Sequence, residues 1–190
     1  VFDVERLAHM LATLLRAAEF SHRGEELSIL PSEVNLHAYL REYVNDSATV
    51  YSNRVELALD GNEDVWVEID PMMFRQVLDN LVDNAIRYRG DRPARVKFVL
   101  RSPDGRVELD VVDEGVGIPT DTLDDIFERF YRIEGNEPPT GRRGMGIGLN
   151  VVRSIVRAHG GTVVAYSDGP GQGARFRIRL PAMAKEKVPA

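Results

Sequence analysis

Three short clusters in this sequence have the residue types needed to hold an anionic ligand that carries a flat ring. Asn80, Asn84 and Arg87 follow one another at steps of four and three, which places them on one side of a helix. Two amide carbonyls one turn apart can coordinate a hard cation, and a guanidinium beyond them can reach phosphates that share it. Asp113-Glu-Gly-Val-Gly-Ile-Pro119 directly follows a strand-like run. Its carboxylate can accept a hydrogen bond from an exocyclic amine, and its glycines let backbone come close to a ring. Gly144-Met-Gly-Ile-Gly-Leu149 opens a helix after the basic pair Arg142 and Arg143. Free N–H groups at a helix start, with no Cβ in the way, form a phosphate cradle. It is not a Walker A loop, because no Lys-Ser/Thr follows. It is not a dinucleotide fingerprint either, since the third glycine falls one residue early. Taken alone, the asparagines also fit a solvated helix face, and the Asp113 cluster also fits a surface turn.

A fourth cluster, Ile126-Phe-Glu-Arg-Phe-Tyr131, sets two phenylalanines three residues apart. That spacing gives one apolar face on a single helical turn, able to pin a lid to the body or to another domain, and equally compatible with a local core patch.

The elements that must position these residues can be read from periodicity. Val4, Leu7, Leu11, Leu14 and Ala18 trace a heptad seam, which Gly24 ends. Leu27 to Pro31 reads as an extended linker, because Pro31 disfavours helix at Leu30. An amphipathic helix over about 35–49 carries Leu36, Tyr39, Leu40 and Val44 on one side. Strands are expected over Val55–Leu59 and Val65–Ile69, on either side of an Asp60-Gly61-Asn62 turn. Asp70 is placed to cap a helix with Pro71 in its first turn, running to about Arg89. Strands Arg95–Arg101 and Val107–Val112 form a hairpin. After a long stretch with little apolar pattern, a helix from about Met145 to His159 stops at Gly160-Gly161, and strands Thr162–Ser167 and Ala174–Leu180 close the chain. Helices and hairpins alternate in blocks. That predicts an α+β architecture whose largely antiparallel sheet is covered on one face.

Composition sets outer bounds. With 190 residues, 43% of them hydrophobic, the chain can bury one core and a short appendage. Its net charge of -6 argues against nucleic acid as a partner. The absence of cysteine rules out disulfide scaffolds and zinc knuckles. No apolar run approaches the roughly 20 residues that span a bilayer.

The order Asn80-Leu-Val-Asp-Asn84-Ala-Ile-Arg-Tyr88, then Asp113–Pro119, then Phe127–Phe130, then Gly144–Leu149 resembles the N, G1, F and G2 boxes of sensor histidine kinases. The likeness runs from about Asn35 to Leu180 and includes the closing Val156-Arg-Ala-His159-Gly-Gly161. It implies the α+β two-layer sandwich of the histidine kinase, gyrase and Hsp90 ATPases, with ATP and magnesium (Mg2+) as ligands. Position by position, it implies that Asn84 ligates Mg2+, with Asn80 helping at the cation or the phosphates, and that Arg87 faces the phosphates. Tyr88 packs against adenine, Asp113 bonds the adenine 6-amino group, and Gly115 and Gly117 lie beside the base with Ile118. Gly144, Gly146 and Gly148 line the triphosphate, the lid arginines Arg142 and Arg143 help neutralise it, and Leu149 is a further ATP contact.

The resemblance also implies domains: 1–23 as the end of a dimerisation and phosphoacceptor helical segment, 24–34 as linker, 35–181 as the catalytic ATP-binding domain with 119–143 as its lid, and 182–190 as tail. Related ATPases hold a glutamate base where Asn80 stands, and an amide cannot take a proton. Hydrolysis is therefore expected to be slow. None of His9, His22, His37 or His159 is followed by the acidic-Arg-Pro string of the family's phosphoacceptor, so that histidine is expected to precede Val1 in a longer parent. The implied partners are that helical domain and a response regulator receiver domain. The parent is expected to be a homodimer anchored in the inner membrane, with this part cytoplasmic. Two alternatives are a non-catalytic nucleotide-binding regulatory module and an anti-sigma-type serine kinase on the same fold. The phenylalanine pair and the N-terminal helix disfavour the second.

Overall fold

The computed structural model describes residues 27–51, 55–61, 64–90, 94–103, 105–133 and 145–183. The heptad segment, His9, His22, Gly24, Arg142, Arg143, Gly144 and most of the tail therefore lie outside the described residues.

Strand β1 (Ser32–Asn35) leads into helix α1 (Leu36–Val50), whose start is capped where the Asn35 side chain accepts from the Ala38 amide. β2 (Val55–Asp60) and β3 (Trp66–Ile69) precede helix α2 (Pro71–Arg87). As expected, Asp70 caps α2, one carboxylate oxygen accepting from Met72 and Met73 at 3.0 and 3.1 Å. Its other oxygen takes the Leu30 amide at 3.0 Å, which ties the incoming chain to the helix start. Burial alone would raise the Asp70 pKa, but these three N–H donors hold it below the usual carboxylate value. The hairpin β4 (Ala94–Arg101) and β5 (Arg106–Asp113) follows. Two short 3-10 turns at Thr120–Thr122 and Asp125–Phe127, helix α3 (Gly148–Ala158), β6 (Thr162–Tyr166) and β7 (Ala174–Pro181) complete the order.

The strands form two sheets. The larger has the order β2-β4-β5-β7-β6, with β2 parallel to β4 and every other pair antiparallel. The runs expected around the 60–62 turn do not pair with each other. β3 instead pairs antiparallel with β1, a strand that begins within the 24–34 stretch expected to be linker and runs on to Asn35, with Val34 opposite Val67. The cause is polar as much as apolar: Asn35 Nδ2 and Trp66 Nε1 both donate to Asp64 Oδ1, drawing β3 to β1.

The large sheet is covered on one face, as its alternation requires. Val96, Phe98 and Leu100 of β4, Leu109 of β5 and Ile178 of β7 are buried beneath the three helices with Phe74, Leu78 and Leu81 of α2. The other face carries a charged ladder. Arg177 donates to both oxygens of Asp110, at 2.7 and 2.8 Å, and Arg179 to Glu108 at 2.7 Å. At the edge of the core, His159 joins two helices: its Nε2 accepts from the Asp70 amide at 2.9 Å, so Nδ1 carries the proton to the Ile155 carbonyl at 2.7 Å. The end of α3 is thereby fixed to the start of α2. Among the described residues no helix is long and apolar enough to cross a membrane.

Candidate functional site

One pocket, of about 190 Å³, opens between α2, the β5 end and the start of α3. Three separated parts of the sequence meet there. Asn80, Asn84 and Arg87 line it from α2, with Tyr88 at the helix end. They are half-buried, so the stripe is a wall of the pocket rather than a solvated face. The Asn80 amide has a defined direction. Its Nδ2 donates to the Gln76 carbonyl one turn back at 2.9 Å, which leaves Oδ1 turned outward. A Cβ added to Gly148 would stand 3.1 Å from that oxygen, so the start of α3 approaches Asn80 closely because residue 148 has no side chain.

α3 begins three residues later than its periodicity suggests. Its cap position, Ile147, makes no side-chain hydrogen bond, so the first N–H groups of the helix have no side chain capping them at the pocket wall. Gly146, Gly148 and Leu149 line this part of the pocket.

Asp113 enters from the last position of β5. Burial pushes its carboxyl above the ordinary value, only partly offset by N–H donation from Gly115, at 2.8 Å, and Ala174. A half-buried carboxylate in this setting can accept from a neutral donor brought into the pocket. Apolar side chains wall the slot around it: Ile118, Ile126, Phe176 and Met145.

The two glycines after Asp113 have a different basis from the one expected. Gly115 does not face the pocket. A Cβ there would lie 2.6 Å from the Tyr88 carbonyl oxygen and 2.8 Å from Asp113 Oδ1, so its bareness serves a backbone crossing. Gly117 does line the pocket, but its backbone is left-handed, with φ of 74°, and a Cβ would collide with the carbonyl of Gly169. Loop 114–118 is thus threaded between the end of α2 and the β6–β7 turn.

The phenylalanine pair does not form a shared face. The 3-10 turn ends at Phe127, and Phe130 takes a left-handed backbone with φ of 63°. Phe127 is therefore buried, at 3% exposure, and packs edge-on against Phe176 with centroids 6.4 Å apart, while Phe130 is 70% exposed. Phe127 thus supports a pocket wall from behind. The path of the segment is set by Asn150 of α3, whose Nδ2 donates to the Phe127 carbonyl at 3.0 Å, and by the Phe130 amide donating to Gly146 at 2.9 Å.

The sequence reading missed Asp83, Tyr131, Arg132 and the apolar wall of Ile126 and Phe176, all of which line the pocket. Asp83 was findable, since it lies three residues after Asn80 and four before Arg87 on the same stripe. The aromatic and aliphatic wall comes from segments far apart in sequence and carries no local pattern. Among the described residues no group of three or more His, Cys, Asp or Glu could hold a metal. Amide oxygen can meet a hard cation, and Asn80 Oδ1 has a defined orientation, set by the bond from its Nδ2 to Gln76.

Such a pocket suits a ligand with a flat, amine-bearing ring at one end and a chain of anionic groups at the other. Comparison with known proteins agrees. Residues 69–184 match the family described as histidine kinase-, DNA gyrase B-, and HSP90-like ATPase. The sensor protein kinase WalK of Staphylococcus saprophyticus is 30% identical over 187 residues, covering 97% of this chain and 30% of that protein. The adaptive-response sensory kinase SasA of Trichormus variabilis is 34% identical over 174 residues, covering 90% of this chain and 42% of that one. This chain therefore spans less than half the length of either relative. Among solved structures, the mycobacterial sensor histidine kinase MprB superposes with a TM-score of 0.67 at 25% identity, covering 82% of this chain and all of the other.

Proposed function

Because the chain belongs to the family of histidine kinase-, DNA gyrase B-, and HSP90-like ATPases, we propose that it is the catalytic ATP-binding domain of a two-component sensor histidine kinase. It binds Mg-ATP and passes the γ-phosphoryl to a histidine nitrogen of a dimerisation helical domain, for relay to an aspartate of a response regulator. The observation that carries this reading is the polarity of the pocket: an Asp113 acceptor at one end, and Asn80, Asn84, Arg87 and the open start of α3 at the other.

In this reading Asp113 accepts from the adenine amine, with Tyr88 and Ile118 against the base. Asn84 and Asn80 offer amide oxygen to Mg2+, whose fit rests on the outward Asn80 Oδ1. When bound, Mg2+ supplies neutralisation of the β and γ oxygens. Arg87, the lid pair Arg142 and Arg143, and the Gly144–Gly148 amides hold the remaining phosphate charge. The attacking histidine nitrogen forms a bond to the γ-phosphorus as the bond to the bridging oxygen breaks, leaving ADP. Because Asn80 cannot act as a base, hydrolysis is slow, since a positioned base is worth about 10²–10⁴ in rate. The domain division of this reading is 1–23, a linker over 24–31, a catalytic domain over 32–181 that takes in β1 because β1 pairs with β3, with its lid at 119–143, and 182–190 as tail. We place the domain on the cytoplasmic side of an inner-membrane parent that acts as a homodimer.

The test uses γ-labelled ATP, Mg2+ and the helical phosphoacceptor domain of the parent added in trans. Acid-labile, base-stable label on that domain is expected. ATP binding with no transferred label would overturn the kinase reading and leave a nucleotide-binding module.

A further inference from the structure

We propose that Ser167, in the turn between β6 and β7 and outside the pocket, is the positioning residue that sets the base-binding loop. The inference rests on the nucleotide reading above, and its chemistry lies in one hydroxyl. Ser167 Oγ accepts from the Ile118 amide at 3.0 Å and from the Gly169 amide at 3.3 Å. It donates to the Gly173 carbonyl at 2.6 Å. A hydroxyl has one proton and two lone pairs, so these three bonds use its full capacity. The Gly169 carbonyl, 3.4 Å away, then goes without that proton.

The Ile118 bond joins two segments 49 residues apart at the point where the pocket needs them joined, and the other two set the turn that carries Ser167. Ile118 lines the pocket, and Gly117 beside it is pressed against the Gly169 carbonyl. The same turn holds the loop through its backbone, the Gly171 amide donating to the Val116 carbonyl at 2.6 Å and Gly173 to Gly115 at 3.1 Å. On the far side the Val116 amide donates to the Tyr88 carbonyl at 2.8 Å. Ser167 is the side chain in this joint, and its bond acts at the last loop residue before Pro119. Without it the Ile118 amide loses its acceptor, and the wall that the ring must lie against is free to move away from Asp113. The effect is expected at the base, because Ser167 bonds the Ile118 amide and Ile118 lines the pocket, whereas the Asn80 amide is set by Gln76 on its own helix.

The experiment compares Ser167→Ala and Ser167→Thr by calorimetry with ADP in EDTA, Mg-ADP and Mg-ATP, and follows the Ile118 amide by hydrogen exchange. Ser167→Ala is expected to weaken all three ligands by one common factor, about tenfold, as loss of a hydrogen bond to a part-buried amide does. Ile118 exchange accelerates while Val111, in the middle of β5, stays protected. Ser167→Thr keeps the hydroxyl and restores affinity. A loss that grows from ADP to Mg-ATP, a threonine variant as weak as alanine, or a wild-type Ile118 amide that exchanges freely would each overturn the proposal. The exchange measurement on wild type decides the matter even if the alanine variant does not fold. Wild-type protein that binds no adenine nucleotide would instead overturn the functional reading on which this one rests.

Discussion

At the Asp113 end of the pocket, loop 114–118 is held by backbone hydrogen bonds to the Tyr88 carbonyl and to the β6–β7 turn, and its glycines are packed against carbonyl oxygens. At the other end, Asn80, Asn84 and Arg87 line the pocket from α2, and Asn80 Oδ1 lies close to Gly148, where no side chain caps the helix N–H groups. One end is made of main chain with little room to adjust. The other is made of side chains and a helix terminus, which can follow a ligand of varying charge. A base is a fixed shape with a fixed donor pattern, whereas a phosphate chain is lost and regained through a catalytic cycle. The construction matches that division, and substitutions at the two ends should differ in kind.

Asp113→Asn should have the largest effect. Hydrogen bonds to a charged group are worth about 1.5–3 kcal/mol, so ATP affinity should fall about a hundredfold by calorimetry. The fold should gain rather than lose. Burial raises the Asp113 pKa, so the native state holds this proton more firmly than the unfolded chain. The stability that follows is complete at pH below the ordinary carboxylate value and is lost as pH rises through the raised one. At neutral pH the wild type carries the cost of a buried charge that asparagine lacks, and Asn can still accept from the Gly115 amide. The variant should therefore melt at or above the wild type at pH 7, with the gap closing in acid. A clear fall in melting temperature at neutral pH would show that Asp113 is a structural anchor. Wild-type discrimination against GTP, which presents a carbonyl to the same carboxylate, belongs to this test. Equal affinity for the two nucleotides would break the assignment of the base end.

Gly117→Ala comes next. It forces an L side chain into a left-handed conformation and against the Gly169 carbonyl, with strain of about 1–3 kcal/mol. Thermal stability and affinity should fall together, because the loop cannot yield without its partners. Arg87→Ala should do the reverse, leaving the melting temperature within a degree or two and weakening Mg-ATP about tenfold at low ionic strength. That loss should shrink as salt screens the competing wild-type contact, and adenosine should bind both proteins alike. A loss shared by adenosine would place Arg87 at the base end and collapse the distinction.

Much of this was legible from residues alone. The α2 stripe, Asp113 and the glycines of the α3 start were found because each is local: a helical spacing, a strand end, a glycine-rich helix opening. The Asp70 cap with Pro71 behind it was readable for the same reason. What failed was non-local. β1 was hidden because four residues with no buried position pair only once Asp64 has drawn β3 alongside. Phe127 and Phe130 were read at helical spacing, but Asn150 and Gly146, some twenty residues on, fix the backbone there and turn Phe130 outward. Gly115 looked like a contact to the base and proved to be room for the Tyr88 carbonyl. Spacing reports which residues share a face. It does not report which foreign backbone that face must accommodate.

The smallest effect should come from Gly148→Ala, the counterpart of Gly117→Ala at the phosphate end. The new Cβ meets Asn80 Oδ1 at 3.1 Å, and that atom ends a side chain. Position 148 opens α3, and alanine suits a helix better than glycine by roughly 1 kcal/mol. Stability should hold or rise slightly. The cost falls on the amide, which must turn away from the outward setting that its bond to Gln76 now gives it. Mg-ATP affinity should drop only a few-fold, and ADP in EDTA less than that, because the displaced atom is an oxygen that serves the cation. The two alanine variants thus separate the ends by one identical change. Backbone opposes it at Gly117, and a movable side chain absorbs it at Gly148. Equal losses of stability in the two would mean that the phosphate end is as rigid as the base end.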